Sequence, residues 1–453
     1  MNSNLGVEVR NTKANSLLGI LSLSVLFLAI LAIAFFIKRA DSVLLIGTFL
    51  VAFGSYMVLF LKKEKIQISV KTGIVVGVLI RFILVFALPN LSDDFYRFIW
   101  DGRLLNHGIN PFLELPSYYI NSGLHSDFLT LDIYNQLNSQ NYFTVYPPVL
   151  QGVFGLATYC FPDSVLGSVI VMKSVLFLLE VGSIYCIVAL LRHFKKNENA
   201  VLLYALNPVV MLEIVGNLHF EGIMIFFLLL AFYWLKKDWW KLSAVAFACS
   251  VASKLLPLMF LPFLIYKLGG KKTCWKKAIQ YFIIVGSVTV ALFYPLLGEF
   301  FINNFGNSLN LYFQKFEFNA SLYYALRWLG FQVSGYNLIQ VLGPILALTA
   351  GISIFILALK NKSKNINILP EQWLIAITIY LFCTTTVHPW YTALPIVLCV
   401  FTNFRFPILW SGLIFLTYVN YSYAEYFENL WVVGLEYLVL IGFVLTEQNR
   451  FSF

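Results

Sequence analysis

Charged side chains are scarce in this sequence: Asp, Glu, Lys and Arg make up 12% of its 453 residues, and 60% are hydrophobic. Soluble globular chains carry about a quarter charged residues, so a water-soluble fold is excluded and a polytopic membrane protein is expected. Cysteine is also rare. Cys160, Cys186, Cys249, Cys383 and Cys399 lie in or beside apolar runs and Cys274 in a lysine-rich turn, without metal-ligand spacing, so neither a disulfide nor a structural zinc is expected. There is no Walker loop, no GxGxxG after a strand, no CxxC pair and no HExxH, which removes support for nucleotide hydrolysis, dehydrogenation and zinc proteolysis. Heptads, low-complexity tracts and a soluble domain are absent as well. The formal charge of +9 does not point to nucleic acid. The lysines cluster beside apolar runs, where they anchor to membrane lipid headgroups.

What is present is a succession of apolar runs, at 16–37, 43–61, 69–89, 165–191, 200–216, 219–235, 242–266, 277–297, 337–359, 371–386, 389–403, 406–421 and 429–446. The fold class expected is all-α, a single integral membrane domain over 1–453 with roughly twelve to fourteen membrane segments. The run 16–37 is too long for a signal peptide and counts as a span. Lysine and arginine placement puts both termini in the cytoplasm, with an acidic loop at 90–146 and a second loop at 298–335 outside. Lys38 and Arg39 are the exception, two bases in a turn assigned to the outer side. The short 147–161 segment fits a re-entrant helix, and Ser253-Lys254-Leu255-Leu256-Pro257 breaks a run that must fold back.

On this topology Asp93, Asp94, Tyr146, Gln151, Asn217, His219, Glu221, Lys254, Asn319, Arg327 and His388 all fall on the outer side. Ionisable groups at membrane depth are costly and usually functional. Asp93 and Asp94 follow Ser92, an N-cap residue type, and would open a short helix. One reading makes them half of i,i+4 ion pairs, Asp93 with Arg97 and Arg97 with Asp101. The other makes a carboxylate just outside the membrane a general base toward a sugar hydroxyl. Tyr146-Pro147-Pro148 fixes an extended chain entry. Lys254 is either a snorkelling lysine or a phosphate contact. His388-Pro389-Trp390-Tyr391 is either an aromatic belt or a group set over a leaving phosphate.

The motifs Ser92-Asp93-Asp94-Phe95-Tyr96-Arg97-Phe98-Ile99-Trp100-Asp101-Gly102, Asn110-Pro111-Phe112, Tyr146-Pro147-Pro148, Asn207-Pro208, Gly216-Asn217-Leu218-His219-Phe220-Glu221-Gly222, Lys254-Leu255-Leu256-Pro257 and His388-Pro389-Trp390-Tyr391 together resemble the GT-C class of polytopic glycosyltransferases. Within it they are similar to bacterial polyprenol-phosphate-dependent mannosyltransferases. The resemblance implies Asp93 as catalytic base with Asp94 in reserve. It also implies a polyprenyl-phosphate sugar, hexose or mannose, as donor substrate, a glycan or glycolipid acceptor from the outer side, inversion at the anomeric carbon, and a bacterial inner membrane. Lys254, Arg327 and His388 are the candidates for the departing phosphate. Arg97, Asp101, Tyr146, Gln151, Asn217, His219, Glu221 and Tyr391 complete the expected substrate-binding set. Metal dependence varies within the class, so a divalent cation stays open. A transporter or flippase of lipid-linked saccharide and a glycan ligase or polymerase are the alternatives.

Overall fold

A computed structural model describes residues 2–61, 68–124, 127–269, 275–423 and 427–451. Cys274 and the expected turn residues Lys62, Lys63, Lys65, Lys271 and Lys272 lie outside the described residues. The chain is a polytopic helical membrane protein, as its composition requires, because lipid offers no partner for backbone polar groups and only helices or closed barrels can span it. Among the described residues, seven helices are long and apolar enough to cross: Leu17–Phe36, Ser42–Phe60, Val165–His193, Trp275–Leu296, Ile339–Lys360, Ile366–Cys383 and Leu430–Glu447. An eighth is a pair, Glu198–Ala205 and Pro208–Gly216, bent by 53°. Other expected segments are shorter helices, including the 15-residue Val70–Leu84 and 16-residue Glu221–Lys236. The run 242–266 is broken where expected, with Lys254 extended between Trp240–Ser253 and Leu256–Phe260. The interruption at Asn207-Pro208 divides the run 200–216, which hydropathy alone joins up.

The breaks are closed by buried side chains. At the 53° bend Arg81 Nη1 donates to Ala205 O (2.6 Å) and its Nε pairs with Glu180 (3.0 Å), which also accepts from the Tyr204 hydroxyl (2.6 Å). Asn207 Oδ1 caps the next helix by accepting from the amides of Val209 and Val210. Lys173, fully buried, donates to Leu84 O, Ala87 O and Gly216 O. These are the carbonyl ends of two elements that lead directly into Asp93 and His219. None of these ties was read from the sequence.

The two long polar segments pack on each other. Asn110 Nδ2 donates to Leu296 O (2.7 Å), Asn304 Nδ2 to Phe112 O (2.9 Å) and Ser308 Oγ to Phe143 O (3.0 Å), while Phe112 packs against Phe301. The lysine-bearing turns gather separately, through Lys196 on Phe401 O, Lys267 on Ser363 O and Lys236 on Asn367 Oδ1 (2.8 Å). The 29-residue Val165–His193 helix, about 43 Å long at 1.5 Å per residue, separates the two groups. Its start adjoins Pro162, whose carbonyl accepts from Arg103, and its end carries Arg192 paired with Glu198.

Within the first polar segment, helix Phe95–Asn106 lies against Pro148–Cys160. They meet backbone to backbone at Gly102, where a Cβ would lie 2.4 Å from Phe154 O and 2.7 Å from Thr158 Oγ1. Backbone cannot yield as a flexible side chain does, so Gly102→Ala is expected to cost about 1–3 kcal/mol through forced separation of the helices. Thermal unfolding in detergent should show the loss; an unchanged midpoint would mean that this crossing is not tight.

Candidate active site

The helix expected at Asp93 starts at Phe95 instead. Asp93 and Asp94 precede it, and the Ser92 hydroxyl accepts from the Asp94 amide (3.3 Å) without capping a helix at Asp93. Outside the helix Asp93 cannot follow i,i+4 geometry toward Arg97. Its carboxylate pairs with Arg39 (2.6 Å), from the turn between the first two spans. Arg39 also donates to Leu91 O (3.2 Å), and its guanidinium lies 4.6 Å over the Tyr421 ring. The topological exception therefore has a physical partner: the base at this turn faces an acid. Asp94 turns away to accept from Asn138 Nδ2 (2.7 Å). Partial burial, and then the neighbouring Asp93 charge, raise the Tyr96 phenol, so it stays a protonated donor in this neighbourhood.

The turn carrying Asp93 is held from both sides. Asn90 Nδ2 donates to Ile33 O and Ile37 O at the end of the first span, and Asn217 Oδ1 accepts from the Leu91 amide (3.1 Å). Behind it, Arg97 and Asp101 form the i,i+4 pair (2.8 Å), with the Asp101 side chain sealed. Gln151 Nε2 donates to Asp101 Oδ2 (3.0 Å), Thr144 Oγ1 and Tyr146 O. The Tyr146 ring stands edge-on to Phe98. Arg97, Asp101, Gln151 and Tyr146 thus form a buried brace that orients the helix following Asp93.

From Asp93 a continuous series of contacts runs inward. The Tyr421 ring neighbours Tyr418, whose hydroxyl donates to Glu213 Oε1 (2.8 Å). Glu213 sits in a π-helical turn, Met211–Gly216, a form concentrated at functional positions. Its other oxygen lies 3.3 Å from His219 Nδ1. The His219 ring stacks on Trp390 (3.6 Å), and Trp390 on His388 (4.4 Å). His388 meets the Tyr391 ring edge-on, and Lys254 Nζ lies 4.4 Å over that same ring while paired with Glu221. Glu221, Lys254, Tyr380 and Tyr391 line a cavity of about 40 Å³. Asp94 is within electrostatic reach of both Tyr391 and Tyr421. Among the described residues, His219 Nε2 and His388 Nδ1 are buried without a hydrogen-bond partner.

Arg327 stands in a neighbouring cluster, paired with Glu317 and over the Tyr324 ring (4.3 Å). That cluster reaches the site through Phe318, whose backbone bridges to the 385–387 segment and whose ring contacts His388 (4.6 Å). Among the described residues no three His, Cys, Asp or Glu side chains converge on a point that could hold a metal ion. Arg39, Glu213, Tyr418 and Tyr421 were missed from sequence. A lone acid inside the apolar run at 209–215 was a sufficient signal for Glu213, and the topological exception was one for Arg39.

Residues 14–269, more than half of the chain, match the family model described as alpha-(1->6)-mannopyranosyltransferase, N-terminal domain. Alpha-(1->6)-mannopyranosyltransferase A of Corynebacterium glutamicum is 24% identical over 224 residues, 46% of this chain and 44% of that relative. The aligned stretch therefore spans less than half of the relative's length. The family match covers Asp93, Glu213, His219 and Lys254 and ends before Arg327 and His388. By that match, this chain belongs to the alpha-(1->6)-mannopyranosyltransferase family.

Proposed function

We propose that the protein is a GT-C glycosyltransferase of a bacterial inner membrane that moves a hexose, mannose first, from a polyprenyl-phosphate donor to an extracytoplasmic glycan or glycolipid acceptor with inversion. The observation that carries this reading is the Asp93 carboxylate. It is about half exposed where the polar segment opens, while Glu213 and Glu221 are buried beside His219 and Lys254. The acceptor hydroxyl oxygen attacks the anomeric carbon as its proton passes to Asp93. The carbon–oxygen bond to phosphate breaks, and its electron pair leaves on the polyprenyl phosphate. Lys254, His388 and Arg327 are the groups proposed to face that phosphate, with Lys254 the most direct because it opens on a cavity. Arg97, Asp101, Tyr146 and Gln151 act by positioning. The outer placement is supported by the packing of the 90–146 and 298–335 segments away from the lysine-bearing turns.

The test is transfer of labelled sugar in proteoliposomes, from polyprenyl-phosphate mannose and from polyprenyl-phosphate glucose, to the producing cell's own glycolipid extract. Transfer from the mannose donor is the expected result. No transfer from either donor, alongside measurable lipid translocation, would replace the enzyme by the flippase reading.

A further inference from the structure

We infer that Arg39 is a further receptor for the phosphate of the lipid donor, in addition to the groups proposed above, and that Asp93 occupies it until the donor arrives, so donor binding and release of the base are one event. This rests on the lipid-phosphate donor proposed above.

Three observations carry the inference. The first is exposure. The other pairs formed by arginine at the helix breaks and in the brace are sealed, Arg81–Glu180 at 0% and 0% and Arg97–Asp101 at 4% and 0%, whereas Arg39 and Asp93 are 28% and 46% exposed. An ion pair open to solvent is worth little and exchanges readily. The second is how Arg39 is held. Leu91 O accepts from one guanidinium nitrogen and the Tyr421 ring backs its face, so the group keeps its place when the carboxylate leaves. A guanidinium offers a planar fork of donors that fits phosphate oxygens. The third is location. Arg39 follows the Leu17–Phe36 span by three residues and faces the 90–93 turn, the level at which the headgroup of a bilayer lipid sits. Arg39 donates to Asp93 Oδ2 and so occupies an oxygen that an acceptor hydroxyl would have to meet; moving Arg39 onto phosphate opens that oxygen without any proton transfer. As the sugar departs, negative charge on the phosphate grows, so the Arg39 contact strengthens toward the transition state.

The experiment measures equilibrium binding of a labelled polyprenyl monophosphate to the full chain in phosphatidylcholine nanodiscs. Arg39→Gln should weaken binding about 10- to 100-fold, the worth of charged hydrogen bonds, and Arg39→Lys less. Asp93→Asn should tighten it about two- to fivefold, because an uncharged amide competes less well for Arg39 than a carboxylate does. Binding that is unchanged or weaker in a folded Asp93→Asn protein would make the pair a strut and overturn the proposal. That arm stands even if Arg39→Gln does not fold. Wild-type protein that binds polyprenyl phosphate no better than phosphatidylglycerol would overturn the donor reading itself. Displacement by inorganic phosphate as strong as by the lipid would make Arg39 a free-anion site and overturn the lipid assignment.

Discussion

Replacing Asp93 with asparagine is expected to lower the rate of sugar transfer by about 10²- to 10⁴-fold while the protein stays folded. Asparagine keeps the shape of the carboxylate and can still accept from Arg39, but it cannot take up the acceptor's proton. The loss should therefore appear in kcat, with the donor KM lowered as Arg39 becomes more available. Asp94→Asn is the control. Its carboxylate accepts from Asn138, and Arg39 pairs with Asp93, so its effect should stay below about tenfold. Steady-state transfer with purified variants decides between them. Full activity in Asp93→Asn with loss in Asp94→Asn would move the base by one residue, and activity in both would remove a carboxylate base from this turn.

The second large effect concerns stability. Arg81 and Glu180 face each other with both side chains fully buried, and Tyr204 adds its hydroxyl to the same carboxylate. Glu180→Leu strands a guanidinium in the apolar interior, and removing one partner of a buried pair costs about 3–5 kcal/mol. Detergent-solubilised protein should unfold at a much lower temperature. The double variant Arg81→Met/Glu180→Leu should regain most of the loss, since an apolar pair of similar volume leaves no buried charge. Recovery should fall short by about 1–3 kcal/mol, because the Ala205 carbonyl at the bend loses its donor. A single variant as stable as wild type would mean that water reaches Arg81.

Much of the site could be found from residue type alone. An acid opening a polar segment, a lysine splitting an apolar run, and histidines beside Trp390 and Glu221 stand out wherever charge is rare, because lipid makes each of them costly. Local geometry misled where tertiary contacts won. Helical spacing joined Arg97 to both Asp93 and Asp101; the second pair forms, while Asp93 lies outside the helix and meets Arg39. Of the roughly twelve to fourteen membrane segments expected from hydropathy, seven are full-length helices and one is a bent pair among the described residues, and others are shorter apolar helices. Hydropathy averages over the break that Asn207 introduces in the run 200–216.

Composition placed this chain in a membrane, and the length of its continuous apolar runs made the spans helices, since a barrel strand crosses with only about ten residues of alternating pattern. The order of its polar motifs determined which stretches could carry chemistry. Only the tertiary structure decided which charge meets which. Arg39 and Asp93 are 54 residues apart, Arg81 and Glu180 99 apart, and Lys173 reaches back 89 residues to Leu84. No periodicity links positions so distant; they meet because packed helices bring their ends together, where an unpaired charge or an open carbonyl must find a partner or leave the bilayer.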